Sequence, residues 1–402
     1  MAFPTTFPGV RPSRRPSVRI PPEPAVGARV QSVDLMRGLV MVVMALDHVR
    51  DYFTRSHFDP ADLAQTTVPL FLTRWVTHFC APTFVLLAGA SAWMAGRRRT
   101  PEALTTLLLT RGLWLIVLEF TVVNFGWYFN LEYEAGFFAQ VIWAIGVAMV
   151  ALSFLVRLSR GTVAIIAVAL IAGHNLLDRY DAALRIHPLW SILHVRQLIP
   201  ELHFKSSYPV LPWIGVMAAG YLLGGVLERP RPERDRTLIA MGLGAIAAFV
   251  VLRTLGIYGD PSAWALNEDP VLTVLSFLNT TKYPPSLEYV LMTLGPVLIG
   301  LVYLERLQGK AAEWLATFGR APLFYYVAHL YLIHTLAVLA GVLSGFAPEA
   351  MRRFYVNFPA EYGFSLPVVY LVWIGIVLVL YVPTRWFGVL RERGQSKIWA
   401  YL

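Results

Sequence analysis

Arg37 and His48 lie eleven residues apart in the apolar stretch SVDLMRGLVMVVMALDH. On an α-helix that interval turns through about 1100°, which returns the two side chains to within about 20° of one face, about 16 Å apart along the axis. A guanidinium and an imidazole then line one stripe through half a bilayer. Ionisable groups at that depth are costly and persist where they face a polar interior and do chemistry or transport. Imidazole titrates nearest neutrality of all side chains, so His48 suits removal of a proton from an attacking hydroxyl or amine. Asp34, Met41 and Ala45 continue the stripe, placing Asp34 beside Arg37, while Asp47 is turned about 100° from His48 and needs a particular rotamer to orient the ring. The plainer alternative is that Arg37 snorkels to headgroup phosphates and His48 caps the far interface.

The elements that must hold these residues are membrane helices. The chain has 402 residues, 56% hydrophobic and only 15% charged, a balance that places much of its surface in lipid. Apolar runs long enough to cross a hydrocarbon core occur at 33–53, 68–96, 101–123, 137–157, 161–178, 207–227, 236–257, 284–306, 321–344 and 365–389. The expected fold class is therefore all-α, a polytopic transmembrane bundle of about ten spans. With the N-terminus in the cytoplasm, most of the 34 lysines and arginines fall on the cytoplasmic side, among them Arg97–Arg99, the ERPRPERDR loop at 228–236 and the RERGQSK segment near the C-terminus. The positive-inside bias thus predicts that both termini are cytoplasmic, in a plasma (inner) membrane. Topology and anionic lipid account for the net charge of +9, which gives no support for nucleic-acid binding. The division expected is a basic, disordered tail over 1–30, a membrane domain over 31–392 and a short cytoplasmic tail over 393–402. The sequence gives no indication of oligomeric state.

Further polar residues collect toward the His48 end. Arg74 and His78 share a helix face at i and i+4 in the second span, and Ala88, Ala92 and Gly96 form a small-residue ridge that lets the first two spans pack closely. His57 lies in the connection between them. Asn124 ends the third span as a candidate oxyanion donor, and Lys282 meets Tyr283 before the eighth. Tyr325 and His329 share a face of the ninth span, whereas His334 is turned about 140° from His329, against a two-histidine metal site. With no HExxH, no carboxylate-rich cluster and one cysteine, Cys80, no metal and no disulfide are expected.

Several segments together carry a family resemblance: RVQSVDLMRGLVMVVMALDHVRDYF, THFCAPTFVLLAG, LPWIGVMAAGYLLG, FLNTTKYPPSLEYVLMTLGP and FGRAPLFYYVAHLYLIH. Over 29–345 the chain resembles bacterial membrane proteins related to heparan-α-glucosaminide N-acetyltransferase, and its Arg37/His48 spacing is similar to that of the wider group of integral-membrane acyltransferases. The resemblance implies an acyltransferase that takes an acetyl or other acyl group from cytoplasmic acetyl-CoA or another acyl-CoA to a carbohydrate or cell-envelope hydroxyl or amine on the far side. In the animal enzymes an asparagine matches His48 and the reactive histidine lies in the following loop, where His57 is nearest, so the base stays open between His48 and His57. His329 matches a family histidine in a similar Tyr-x-x-x-His context. The roles expected are then His48, His57 and Asp47 for catalysis, Arg37 and Asp34 for CoA, and Arg74, His78, Asn124, Lys282 and His329 for substrate. The rival reading is a transporter or binding protein for a small solute, for which inverted repeats are lacking.

Overall fold

The computed structural model describes residues 31–134 and 136–393. The 1–30 tail, and all of the C-terminal tail except Arg393, lie outside the described residues. Ten helices fall on the ten apolar runs: α1 Gln31–Phe53, α2 Val68–Gly96, α3 Pro101–Tyr128, α4 Val141–Leu155, α5 Arg160–Ala172, α6 Leu211–Leu227, α7 Arg231–Leu255, α8 Leu287–Leu304, α10 Pro322–Leu343 and α11 Leu366–Glu392. Between α8 and α10 lies a further helix, α9 (Lys310–Arg320), which has 11 residues and is amphipathic. Local chemistry sets the starts. Proline occupies the first or second position of α2, α3, α6, α7, α10 and α11, where its fixed φ suits the helix and its missing N–H is not needed. Thr100, Ser159 and Ser286 cap α3, α5 and α8 by accepting from the amides of Ala103, Thr162 and Tyr289.

Among the described residues six helices are long and apolar enough to cross a membrane, and α5 with the bent turn after it makes a seventh. The ten-span expectation exceeds this for physical reasons. Helices α4 and α6 have 15 and 17 residues, less than a bilayer core requires, and α1 carries Asp34, Arg37, Asp47, Arg50 and Asp51. Those charges are tolerated because α1 is the centre of the bundle, packed on α2, α8, α9, α10 and α11. The fold is helical but not purely so. Strands β1 (Phe137–Ala139), β2 (Gln197–Ile199) and β3 (Phe204–Ser206) form a small sheet in the order β1-β3-β2, with β1 parallel to β3 in the register Phe137↔Phe204 and β2 antiparallel to it.

Two crossings are exceptionally close. Gly38 of α1 faces the Leu315 carbonyl of α9 while Gly319 faces the Asp34 carbonyl, so a Cβ on either glycine would overlap backbone. Gly89 of α2 and Gly220 of α6 make the same reciprocal contact with the Met217 and Leu86 carbonyls, the small-residue packing that membrane helices favour. The start of α1 and the end of α11 lie at one end of the bundle, since Arg391 donates to the Arg320 carbonyl at 3.0 Å, next to the Gly319–Asp34 contact.

Candidate active site

At the opposite end of α1, a cavity of about 670 Å³ opens among the loops. The last turns of α1 and the 54–62 connection form one wall, and residues 279–283 with Tyr355 and Phe358 form the other. The Asn279 amide donates to the Ala61 carbonyl at 2.9 Å and ties the two loops together. His57, His78, Arg74, Asp47 and Lys282 line this space, so five of the residues singled out by type and spacing share one chamber. A second void of about 30 Å³ shares Asp47, Tyr208 and Lys282 with it and runs inward to Met44, Cys80 and Phe84, between α1, α2 and α4.

His48 and His329 are in direct contact. His48 Nδ1 and His329 Nε2 are 2.7 Å apart, with the rings stacked at 4.9 Å. The Tyr325 carbonyl, 2.9 Å from His329 Nδ1, requires a proton on that nitrogen. His329 Nε2 then accepts, His48 Nδ1 donates, and the lone pair of a neutral His48 is left on Nε2. His329 is fully buried and His48 is 8% exposed. Trp127 packs edge-on against the His48 ring at 4.9 Å and itself lines the cavity, which His48 does not. Tyr326 lies on the same ring at 6.1 Å. The Trp127 indole N–H is directed at the Tyr326 oxygen, and both groups are buried; the Tyr326 hydroxyl proton has no acceptor among the described residues.

His57 also has a defined tautomer. Its Nε2 lies 3.0 Å from the Tyr362 carbonyl and carries the proton, which leaves Nδ1 basic on the cavity wall. His78 is buried in the same wall, and its Nδ1 has no partner among the described residues.

Several expected roles change. Asp47 does not orient His48: its carboxylate bridges Arg50 at 2.9 Å and Arg74 at 2.6 Å, and His329 does the orienting. Asn124 cannot serve as an oxyanion donor. Its amide donates to the Glu119 and Phe138 carbonyls and accepts from the Phe138 amide, so every polar atom is engaged in clasping the π-turn of α3 (Glu119–Val123) to β1. At the other end of α1, Arg37 bonds Asp34, the Gly319 carbonyl and Ser91 at 3.4, 3.2 and 2.9 Å; these contacts tie α1 to α9 and α2, and Asp34 beside it is buried. The stripe between the two ends is also packed, with Met41, Met44 and Ala45 buried.

Residue type and spacing did not point to Tyr283 as a site residue. Lys282 and Arg196 lie over its ring at 5.2 and 4.6 Å. Burial raises its pKa, but Lys282, Arg74 and Arg196 outweigh that and bring it down to about 8. The only local signal was the Lys282–Tyr283 adjacency in TKYPP.

A helical membrane bundle whose one end opens into a chamber of imidazoles, cations and aromatic rings, above a buried histidine pair, is an integral membrane protein equipped for acid–base chemistry. Residues 29–259, more than half of the chain, match the family described as heparan-alpha-glucosaminide N-acetyltransferase, catalytic, and the chain belongs to that family. Acetyltransferase-type activity goes with it, and the family in general uses acetyl-CoA. The matched region runs from α1 through α7 and holds His48, His57, Arg74 and His78, while Lys282 and His329 follow it. No curated protein matches the chain.

Proposed function

We propose that the protein transfers an acetyl or related acyl group from cytoplasmic acyl-CoA to a hydroxyl or amine acceptor, of carbohydrate or cell-envelope type, held in the cavity on the exoplasmic side of the inner membrane. The reading takes all ten helices as spans, with both termini cytoplasmic according to the positive-inside bias. The observation that carries it is the His48–His329 contact, which leaves His48 Nε2 as a base of fixed tautomer beside the chamber.

In the step proposed, the acceptor's proton passes to His48 Nε2 as its oxygen or nitrogen bonds to the thioester carbonyl carbon. The oxyanion formed lies against the Tyr326 hydroxyl, whose proton has no acceptor among the described residues, with the Trp127 indole beside it. Its collapse breaks the C–S bond, and His48 returns the proton to the departing CoA sulfur. His57, with Arg74, His78 and Lys282, orients the acceptor from the cavity wall. The pantetheine arm approaches between α1, α2 and α4, through the void at Met44, Cys80 and Phe84, because the Arg37 stripe is packed. Arg37 is a positioning residue in this reading. An acyl-enzyme on Cys80 is not invoked, since the thiol is buried with its Sγ directed to the Val40 carbonyl.

The test is release of CoA thiol by purified protein from acetyl-CoA, with amino sugars or extracted envelope glycans as acceptors. Acceptor-dependent thiol release that falls in His48→Ala at unchanged donor affinity supports the reading. Wild-type rates in His48→Ala, His57→Ala and the double variant overturn it, and solute counter-flow without thiol release favours a transporter.

A further inference from the structure

Two buried histidines lie outside the chamber and take no part in the chemistry above. His174 begins a 3₁₀ turn after α5 (His174–Tyr180), and His194 follows a short helix (Pro188–Leu193); they are 2% and 0% exposed. Asp178, one turn beyond His174, joins them, and one ligand atom from each of the three lies within 4.8 Å of the others.

The hydrogen bonds around the group define its unmet need. The Asp181 carboxylate, 2.9 Å from His194 Nδ1, fixes a proton there and turns Nε2 inward. Facing that nitrogen are His174 Nδ1 at 3.3 Å, the His174 carbonyl at 3.1 Å and Asp178 Oδ1 at 3.7 Å. Four electron-rich atoms converge where a single proton could serve at most one pair, and a cation at their centre would serve all four. The spacing fits zinc, since metal–ligand bonds of about 2.0–2.1 Å in a tetrahedron put ligand atoms about 3.3–3.4 Å apart. The surrounding bonds are of the kind that orient metal ligands. The Asn175 amide donates to Asp178 Oδ2 at 2.9 Å, and the Trp190 indole donates to Asp181 Oδ1 at 2.8 Å.

We infer that His174, Asp178 and His194 form a binding site for a divalent transition metal of the zinc class, with the His174 carbonyl or a water as fourth ligand. The inference runs against the expectation of no metal, which rested on local motifs; His174 and His194 are 20 residues apart and only the fold brings them together. The site is a staple and not a second reaction centre, because none of the three ligands lines the cavity. Asn175, between two of the ligands, accepts from the Leu287 amide at 3.0 Å, so the metal would hold the 174–194 segment against the start of α8, just behind Lys282 and Tyr283.

The test uses full-length protein carrying no histidine tag, produced in zinc-replete medium, purified in detergent and analysed for bound metal. About one zinc per chain is expected, falling to background in His194→Ala and Asp178→Asn. Chelation should lower the Tm of the wild type, and added zinc should restore it. Cobalt(II) added to chelated wild type should give the intense visible bands of a tetrahedral N/O site, and that spectrum decides the matter even if the variants fail to fold. Metal-free wild type together with the weak spectrum of hydrated cobalt overturns the inference, independently of whether any acyl transfer is observed.

Discussion

The two ends of α1 carry similar residues and are built to opposite ends. At the Arg37 end each ionic group faces protein: the guanidinium joins Asp34, Ser91 and the Gly319 carbonyl, and two glycine contacts seal the helix to α9. At the His48 end the cations Arg50 and Arg74 are likewise neutralised, by Asp47 and Asp51, but the His78 imidazole and the Tyr326 phenol are left with capacity to bond, beside a cavity. A buried charge with complete partners holds helices together. A buried polar atom with an incomplete shell, next to space, is where a ligand gains most.

Substitutions at the two ends should separate along that line. The largest effect is expected for His48→Ala, a loss of about 100- to 10,000-fold in turnover with the thermal transition nearly unchanged; an equal loss of both folded protein and activity would instead place His48 with the structural charges. His329→Ala should cost on the order of tenfold to a hundredfold in rate, as removal of an orienting partner does, and should shift the pH profile of turnover, which a packing defect would not. Asn124→Ala is the structural contrast on the cavity side. It strands the Phe138 amide and two carbonyls, about 1–3 kcal/mol for each buried group left unpaired, so the Tm should fall while turnover per folded molecule is retained. Arg37→Ala should lower stability by about 1–3 kcal/mol, read as an earlier melt, with the apparent KM for acyl-CoA unchanged; a raised KM would return Arg37 to the donor site.

The smallest effect is spectroscopic. With its pKa lowered to about 8, Tyr283 should give a phenolate absorbance step near that pH in the difference between wild type and Tyr283→Phe. The anion is favoured in the folded chain, so its contribution to stability is absent at neutral pH, grows as pH rises from about 8 and is complete above the ordinary tyrosine value of about 10. Stability relative to Tyr283→Phe should therefore rise through that window.

The positions of the helices could be read from the sequence because lipid imposes them. The run 68–96 coincides with α2, and 33–53 differs from α1 only at its start. The strand β1 was hidden in the run 137–157 because three apolar residues look alike in a strand and a helix. Helix α9 escaped because 11 residues of alternating polarity between two spans read as a charged loop. In the site, periodicity placed Arg37 and His48 on one stripe and Arg74 with His78, but it could not show that His48 meets His329 across 281 residues or that Asp47 turns to Arg74. Asn124 misled for the same reason: its type fits an oxyanion donor, while its bonds depend on a strand 14 residues away.

The glycine crossings bear on how the molecule can move. At Gly38–Gly319 and Gly89–Gly220 each helix carbonyl stands where the neighbour's Cβ would be, like meshed gear teeth. Sliding either pair by one residue would drive a side chain into a carbonyl, so α1, α2, α6 and α9 form a chassis that resists shear. Rocking of one half against the other would have to strip those teeth. Motion is left to small parts, the loops joined at Asn279 and Ala61, and turnover in this protein should respond to changes at that joint far more than to the thickness or tension of the bilayer around its frame.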